Sequence, residues 1–161
     1  MAAVKVRETQ VTEHRKGEFV ISTDKKRIDL GVVHGFLTDS YWAMGIPREV
    51  VARAIGNSLC FGVYGDGKQV GFARVISDYA TYAYIADVFV LESYRGDGLG
   101  KWLMECIISH PCLQGLRRWS LATMDAHGLY AQWGFTPLKT PERFMELHNP
   151  DVYKRDKNLR G

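Results

Sequence analysis

The sequence predicts a mixed α/β domain, on three observations. Residues 81 to 91, TYAYIADVFVL, are apolar on both faces of an extended chain, as a strand in the middle of a sheet requires. Residues 59 to 76, LCFGVYGDGKQVGFARVI, set a Gly-Asp-Gly turn between two apolar runs, a β-hairpin signature. Beyond a glycine-rich stretch, Leu99, Trp102, Leu103, Cys106 and Ile107 recur at i, i+3, i+4, i+7 and i+8, the stripe of a helix packed on that sheet.

The other elements follow in chain order. In KRIDLGVVHGFLT, residues 26 to 38, Ile28, Val32, Val33, Phe36 and Leu37 fall at helical intervals. A second helix, PREVVARAI, opens with Pro47, tolerated in a first turn because its missing N–H would have no acceptor there. The hairpin, the strand at 81–91 and the long helix come next. RWSLAT, from Arg118, reads as a short strand, and Ala126, Leu129, Tyr130 and Trp133 form another helical stripe stopped by Gly134. RFMEL, from Arg143, reads as a last strand. Antiparallel hairpins early and crossovers late define the mixed sheet. No repeat or linker divides the chain, so residues 1–161 are expected to form a single domain with a core over about 18–148, a polar N-terminal stretch and a loose tail over 148–161.

Composition removes several classes of function. The 161 residues are 46% hydrophobic and 24% charged, enough to bury a core. The 21 Lys and Arg exceed the 18 Asp and Glu only slightly and form no run of five, which does not favour nucleic acid but would suit an anionic ligand. Cys60, Cys106 and Cys112 form no C-x-x-C pair, so neither a disulfide framework nor a metal site is expected, and the setting should be reducing and cytoplasmic. The first 18 residues lack the apolar core of a signal peptide, and no apolar run approaches the roughly 20 residues of a membrane helix.

VFVLESYRGDGLGKWL, residues 88 to 103, runs from strand into helix through Gly96, Gly98 and Gly100. Such a junction exposes the free amides of the helix's first turn, and the helix dipole adds positive charge, so it suits a phosphate. Arg95 and Lys101 add charge beside Asp97 and Leu99. A Walker loop and a dinucleotide fingerprint both fail on spacing. Read alone, the loop is either a phosphate site or a turn shaped for packing.

The pattern V-x-x-x-x-R-x-x-G-x-G, here Val90, Arg95, Gly98 and Gly100, strongly resembles motif A of the GNAT superfamily of acyl-CoA-dependent N-acyltransferases. YAQWGF, residues 130 to 135, is similar to that family's Tyr-x-x-x-Gly-Phe at the end of its fourth helix. The resemblance covers nearly all of the chain. It implies a central, mostly antiparallel sheet with helices on both faces, and acetyl-CoA as co-substrate with no metal. The pyrophosphate would lie on the backbone from Arg95 to Lys101, and the pantetheine arm against Val88, Phe89 and Val90, where two strands splay. Many proteins of this kind dimerise, so a homodimer is compatible with the resemblance.

N-acylation at neutral pH must take a proton from an alkylammonium of pKa about 10.4, steady an oxyanion, and return a proton to a thiolate whose thiol pKa is about 8.5. The family's backbone oxyanion donor carries over to Val90 and its proton-donating tyrosine to Tyr130; the alternative for Tyr130 is a core residue. Strict alternation puts Asp87 on one face with Ile85 and Phe89, where a carboxylate needs compensation. Either it pairs with a base such as Arg74, or it holds the acceptor's ammonium or takes its proton. Ala86-Asp87-Val88-Phe89-Val90 resembles the Glu-Asp-Phe-Phe-Val of polyamine acetyltransferases, with Ala86 in place of the glutamate assigned there as base. Thr123 stands where many family members have an asparagine; Asp125 reads as a helix N-cap, and His127 and His34 as surface or relay residues. Phe36, Tyr41 and Trp42, near the break between the first two helices, either wall an acceptor slot or fill the core. The resulting expectation is transfer of an acetyl group from acetyl-CoA to a primary amine, on a small molecule, by direct attack in a ternary complex. The alternatives are a protein amino group as acceptor and a non-catalytic acyl-CoA-binding sensor.

Overall fold

The computed structural model describes residues 9–154. One six-stranded sheet runs in chain order: β1 (Glu13–Lys16), β2 (Phe19–Ser22), β3 (Leu59–Gly65), β4 (Lys68–Ser77), β5 (Tyr82–Val90) and β6 (Arg118–Leu121). Neighbours are antiparallel except β5 and β6, which are parallel and joined through α3 (Leu99–Ile108). The helices α1 (Leu30–Thr38) and α2 (Arg48–Gly56) cover one face, while α3 and the short α4 (His127–Ala131) cover the other. The mixed, mostly antiparallel sheet expected from the sequence is the fold observed.

Local chemistry explains the elements. The β3–β4 turn, Asp66-Gly67, has φ of 53° and 71°, the doubly left-handed turn whose twist matches a tight hairpin. Asp29 caps α1 by accepting from the Val32 N–H at 3.2 Å. On α3 the predicted stripe is buried throughout, with Leu103 and Ile107 fully so. Burial of each is worth roughly 1.5–3 kcal/mol.

Three expectations need correction. The sheet begins at Glu13, inside the stretch read as a polar N-terminal end; β1 is an edge strand exposed along its whole length, so it shows no apolar alternation. RFMEL is not a strand: a 3₁₀ turn at Pro141–Arg143 precedes it, Met145 and Leu147 are fully exposed, and the segment has neither a ladder nor a buried face. Of the tail read as loose, Tyr153 packs against the α1–α2 side of the core, while residues 155–161 lie outside the described residues.

His110, just after α3, is 2% exposed, and its Nδ1 accepts from the Cys112 N–H at 3.2 Å. Burial, then the nearby His14, hold its pKa below the usual 6.5. The neutral ring is therefore the form that folding favours. Its contribution to stability is complete above the unfolded pKa of about 6.5 and is lost as pH falls through the lower folded value. The melting temperature should drop on acidification below about pH 6.5, and less so in His110→Asn. Matching profiles for the two proteins by scanning calorimetry would contradict this.

Candidate active site

The site is built where β5 departs from regular pairing. Phe72 opposes Phe89, but Arg74 opposes Ala86, so Ala73 alone faces both Asp87 and Val88. The extra residue is a β-bulge, and Asp87 takes the left-handed conformation it needs, φ 55°. Asp is among the residues that tolerate that region. The bulge corrects the expected facing: Ile85, Val88 and Val90 pack on the α3 side, while Phe89 packs on the α1–α2 side. Asp87 reaches that second side too, to partners on α1–α2 and β4.

Asp87 Oδ2 accepts from Arg74 Nε at 2.8 Å and Oδ1 from Trp42 Nε1 at 2.9 Å. Arg74 also donates to Ser58 Oγ at 3.2 Å. The pairing with Arg74 weighed from the sequence is present, on a half-buried pair. It does not exhaust Asp87, since a carboxylate offers about four acceptor positions.

β6 pairs with β5 only from Tyr82 to Ile85. Beyond Ile85 the two strands part. The Leu91 N–H donates to Val70 O at 2.8 Å, so the antiparallel alternation points the Val90 N–H the other way, toward the parting.

At the β5–α3 junction Gly98 is left-handed, φ 78°, and the Trp102 N–H makes the first backbone bond of α3, to Gly98 O at 3.0 Å. The amides of Leu99, Gly100 and Lys101 therefore have no backbone acceptor among the described residues. Arg95 folds back to donate from Nε to Val90 O at 2.9 Å, tying the loop to the end of β5. The Asp97 and Lys101 side chains are exposed and do not line the cleft.

Tyr130, on α4, is 8% exposed and lines the cleft, and among the described residues its hydroxyl makes no hydrogen bond. Burial, then Tyr41 and Asp125, push its pKa up, so the phenol keeps its proton at neutral pH. The N-cap of α4 is Ala126, with no side-chain cap, which corrects the N-cap expected at Asp125; Thr123 Oγ1 accepts from the Ala126 N–H at 3.0 Å and holds the loop ahead of the helix. His127 is exposed and outside the cleft. His34 pins the α1–α2 connection, its Nε2 lying 3.0 Å from Ile46 O.

Phe36, Tyr41 and Trp42 come together as expected. Phe36 stacks on Phe89 with centroids 4.0 Å apart, and Tyr41 meets Trp42 edge-on at 5.0 Å. Tyr41 and Trp42 are 53% and 42% exposed, so they wall a slot rather than fill the core. The Met124 N–H donates to the Tyr41 hydroxyl at 3.3 Å, joining this wall to the β6–α4 loop.

The β5 edge, the α3 junction, Tyr130 and the Tyr41–Trp42 wall surround one cleft of about 1070 Å³, running from Gly98 and Gly100 along β5 to Tyr130, Trp42 and Asp87. Tyr84 and Tyr153, unassigned from the sequence, also line it. Tyr153 carried a weak signal, an aromatic residue in an otherwise polar tail. No group of His, Cys, Asp and Glu suited to a metal occurs among the described residues.

The family model for an acetyltransferase (GNAT) domain matches residues 56–137, from the end of α2 past α4. A crystal structure of a Xanthomonas campestris protein placed in the GNAT family is 55% identical, with a TM-score of 0.83 over 85% of this chain and 97% of that one. A Gibberella zeae protein named for an acetyltransferase activity is 30% identical over 140 residues, 73% of this chain and 78% of its own length. A Clostridium acetobutylicum protein crystallised with acetyl-CoA, 12% identical, covers 86% of this chain and 96% of that one with a TM-score of 0.59, and shares the fold. On the family match and these relatives together, the chain belongs to the GNAT family of acetyltransferases.

Proposed function

We propose that this protein is an acetyl-CoA-dependent N-acetyltransferase acting on the primary amine of a small molecule by direct attack, with both substrates bound. One observation carries the reading: a single cleft joins the free amides at the start of α3 to the Trp42–Asp87–Arg74 cluster, passing the Val90 N–H and the Tyr130 hydroxyl. The residues present fit acetyl-CoA. Three unbonded amides beside a left-handed glycine suit a pyrophosphate, and the parted β5–β6 edge suits the amide groups of a pantetheine arm.

When bound, acetyl-CoA supplies the thioester to be attacked. The Val90 N–H is placed to donate to an oxygen gathering negative charge, a contribution of roughly 2.7–4 kcal/mol where such donors have been removed. Tyr130, protonated and without a hydrogen-bond partner among the described residues, gives its proton to sulfur. Asp87 uses its remaining lone pairs to hold the acceptor's ammonium and to pass on its proton. Among the described residues the cleft wall contains no cysteine, serine or histidine, and burial pushes the Cys60 and Cys106 thiols up to about 11, so these residues offer no nucleophile for an acyl-enzyme. A reducing, cytoplasmic setting is supported by the three unbridged cysteines.

Initial rates measured while varying both substrates test direct transfer. Intersecting double-reciprocal lines are expected, and parallel lines with an acetylated protein by intact mass would overturn it. Asp87→Asn should raise the Michaelis constant for the amine roughly tenfold or more, since hydrogen bonds to charged groups contribute about 1.5–3 kcal/mol. Acetyl-CoA affinity should not change. A lowered melting temperature with unchanged amine kinetics would confine Asp87 to pairing with Arg74.

A further inference from the structure

We infer that the acceptor end of the cleft takes a primary amine carried on an uncharged, apolar body of limited length, with Tyr153 as the residue that limits it. The inference rests on the acetyl-transfer reading above and concerns what the acceptor looks like beyond its amine.

The surface offered there is apolar. Phe36, Trp42, Val50, Ala54, Tyr84 and Tyr153 line it and are only partly buried by the protein, so they present their side chains to whatever enters. Of the four charged residues that line the cleft among the described residues, Arg95 belongs to the α3 loop and Asp125 to the approach to α4. The other two, Arg74 and Asp87, are paired at 2.8 Å, and the acceptor positions left on Asp87 are taken by the reacting amine. A second ammonium on the acceptor, or a phosphate, would be stripped of water here and find no free opposite charge among the described residues. An apolar body gains by the same burial.

A protein acceptor fits less well. The contact between the Tyr41 hydroxyl and the Met124 N–H bridges two lining segments of the cleft, the α1–α2 connection and the β6–α4 loop, and leaves less width for a polypeptide than for a slender amine. Tyr153 limits the length. It arrives from the C-terminal segment, packs with the α1–α2 side of the core, and its backbone carbonyl comes within 3.4 Å of a Cβ built on Gly45, so it is fixed against the α1–α2 connection.

The test is a series of straight-chain alkylamines from propyl to decyl beside spermidine, an amino-sugar phosphate and a lysine-containing peptide, with acetyl-CoA saturating and thiol release as readout. Within the alkyl series kcat/KM should climb by roughly fourfold per methylene. It should then fall once the chain meets Tyr153, and the charged and peptide acceptors should lie at least tenfold below the best alkylamine. Tyr153→Ala should move the optimum to longer amines while acetyl-CoA affinity stays the same. Spermidine, the sugar phosphate or the peptide as best acceptor would overturn the inference, as would a flat length series or an optimum unmoved by Tyr153→Ala. Each of those results still leaves acetyl transfer standing. Binding of the N-alkylacetamides, measured by calorimetry with CoA present, reads the same surface without turnover. Length-dependent amide binding without acetylation of any amine would uphold the apolar site and overturn the proposed function; no amide binding and no turnover would overturn both.

Discussion

Gly98→Val is expected to weaken acetyl-CoA binding by roughly 10- to 100-fold, or about 1.4–2.8 kcal/mol, in a protein that still folds. Gly98 sits at φ 78° immediately before α3, where a branched residue carries a strain of roughly 1–3 kcal/mol. No protein atom lies within 4 Å of a Cβ built there, so the effect will not come from an internal clash. It comes from the junction itself. Valine either forces the turn out of its left-handed form, turning aside the amides of Leu99, Gly100 and Lys101, or keeps it and sets a side chain in the path of the pyrophosphate. Gly98→Ala should show a smaller loss in the same direction. Wild-type affinity by calorimetry in a folded Gly98→Val protein would show that the phosphate lies elsewhere.

Tyr130→Phe keeps the ring, with its edge-on contact to Phe135 at 6.1 Å, and removes one hydroxyl. Because that hydroxyl bonds to no described residue, stability should change little. Turnover should fall by about 10²–10⁴-fold, the usual contribution of a general acid, with little change in the Michaelis constant for acetyl-CoA. The pH dependence gives an independent check. A donor works while protonated, and burial raises this phenol's pKa, so the wild-type rate should persist to above its ordinary value of about 10 and decline only beyond it. In the variant that decline should vanish, and the rate should rise toward the thiol pKa of about 8.5, where a thiolate leaves without help. Equal kcat at every pH would remove Tyr130 from proton transfer.

How much of this was legible depended on whether the physical signal was local. α3 could be read because five buried residues repeat at helical spacing, and the β3–β4 hairpin because Asp66-Gly67 dictates its own turn. Gly96 and Gly98 at the β5–α3 junction were legible for the same reason, since left-handed backbone demands them. That Ile85 leaves the face shared by Asp87 and Phe89 was not legible, because a one-residue bulge interrupts the alternation on which that reading depends, and the bulge is a property of the β4–β5 register. β1 hid behind four exposed residues; its remaining cue was Gly17, φ 60°, opening a two-residue turn before Phe19. RFMEL misled in the opposite sense, its three apolar residues in five suggesting a strand in a place where no ladder receives it. Tyr153 joins the cleft through a contact made across more than 100 residues, which no local pattern announces.

Thiol release from acetyl-CoA, followed together with the amide formed from a short alkylamine, tests acetyl transfer most directly. The cleft geometry predicts amine-dependent release at one thiol per amide, reduced by about 10²–10⁴-fold in Tyr130→Phe. Tight acetyl-CoA binding with no thiol released by the wild-type protein, whatever the amine, would contradict it and leave an acyl-CoA sensor in its place.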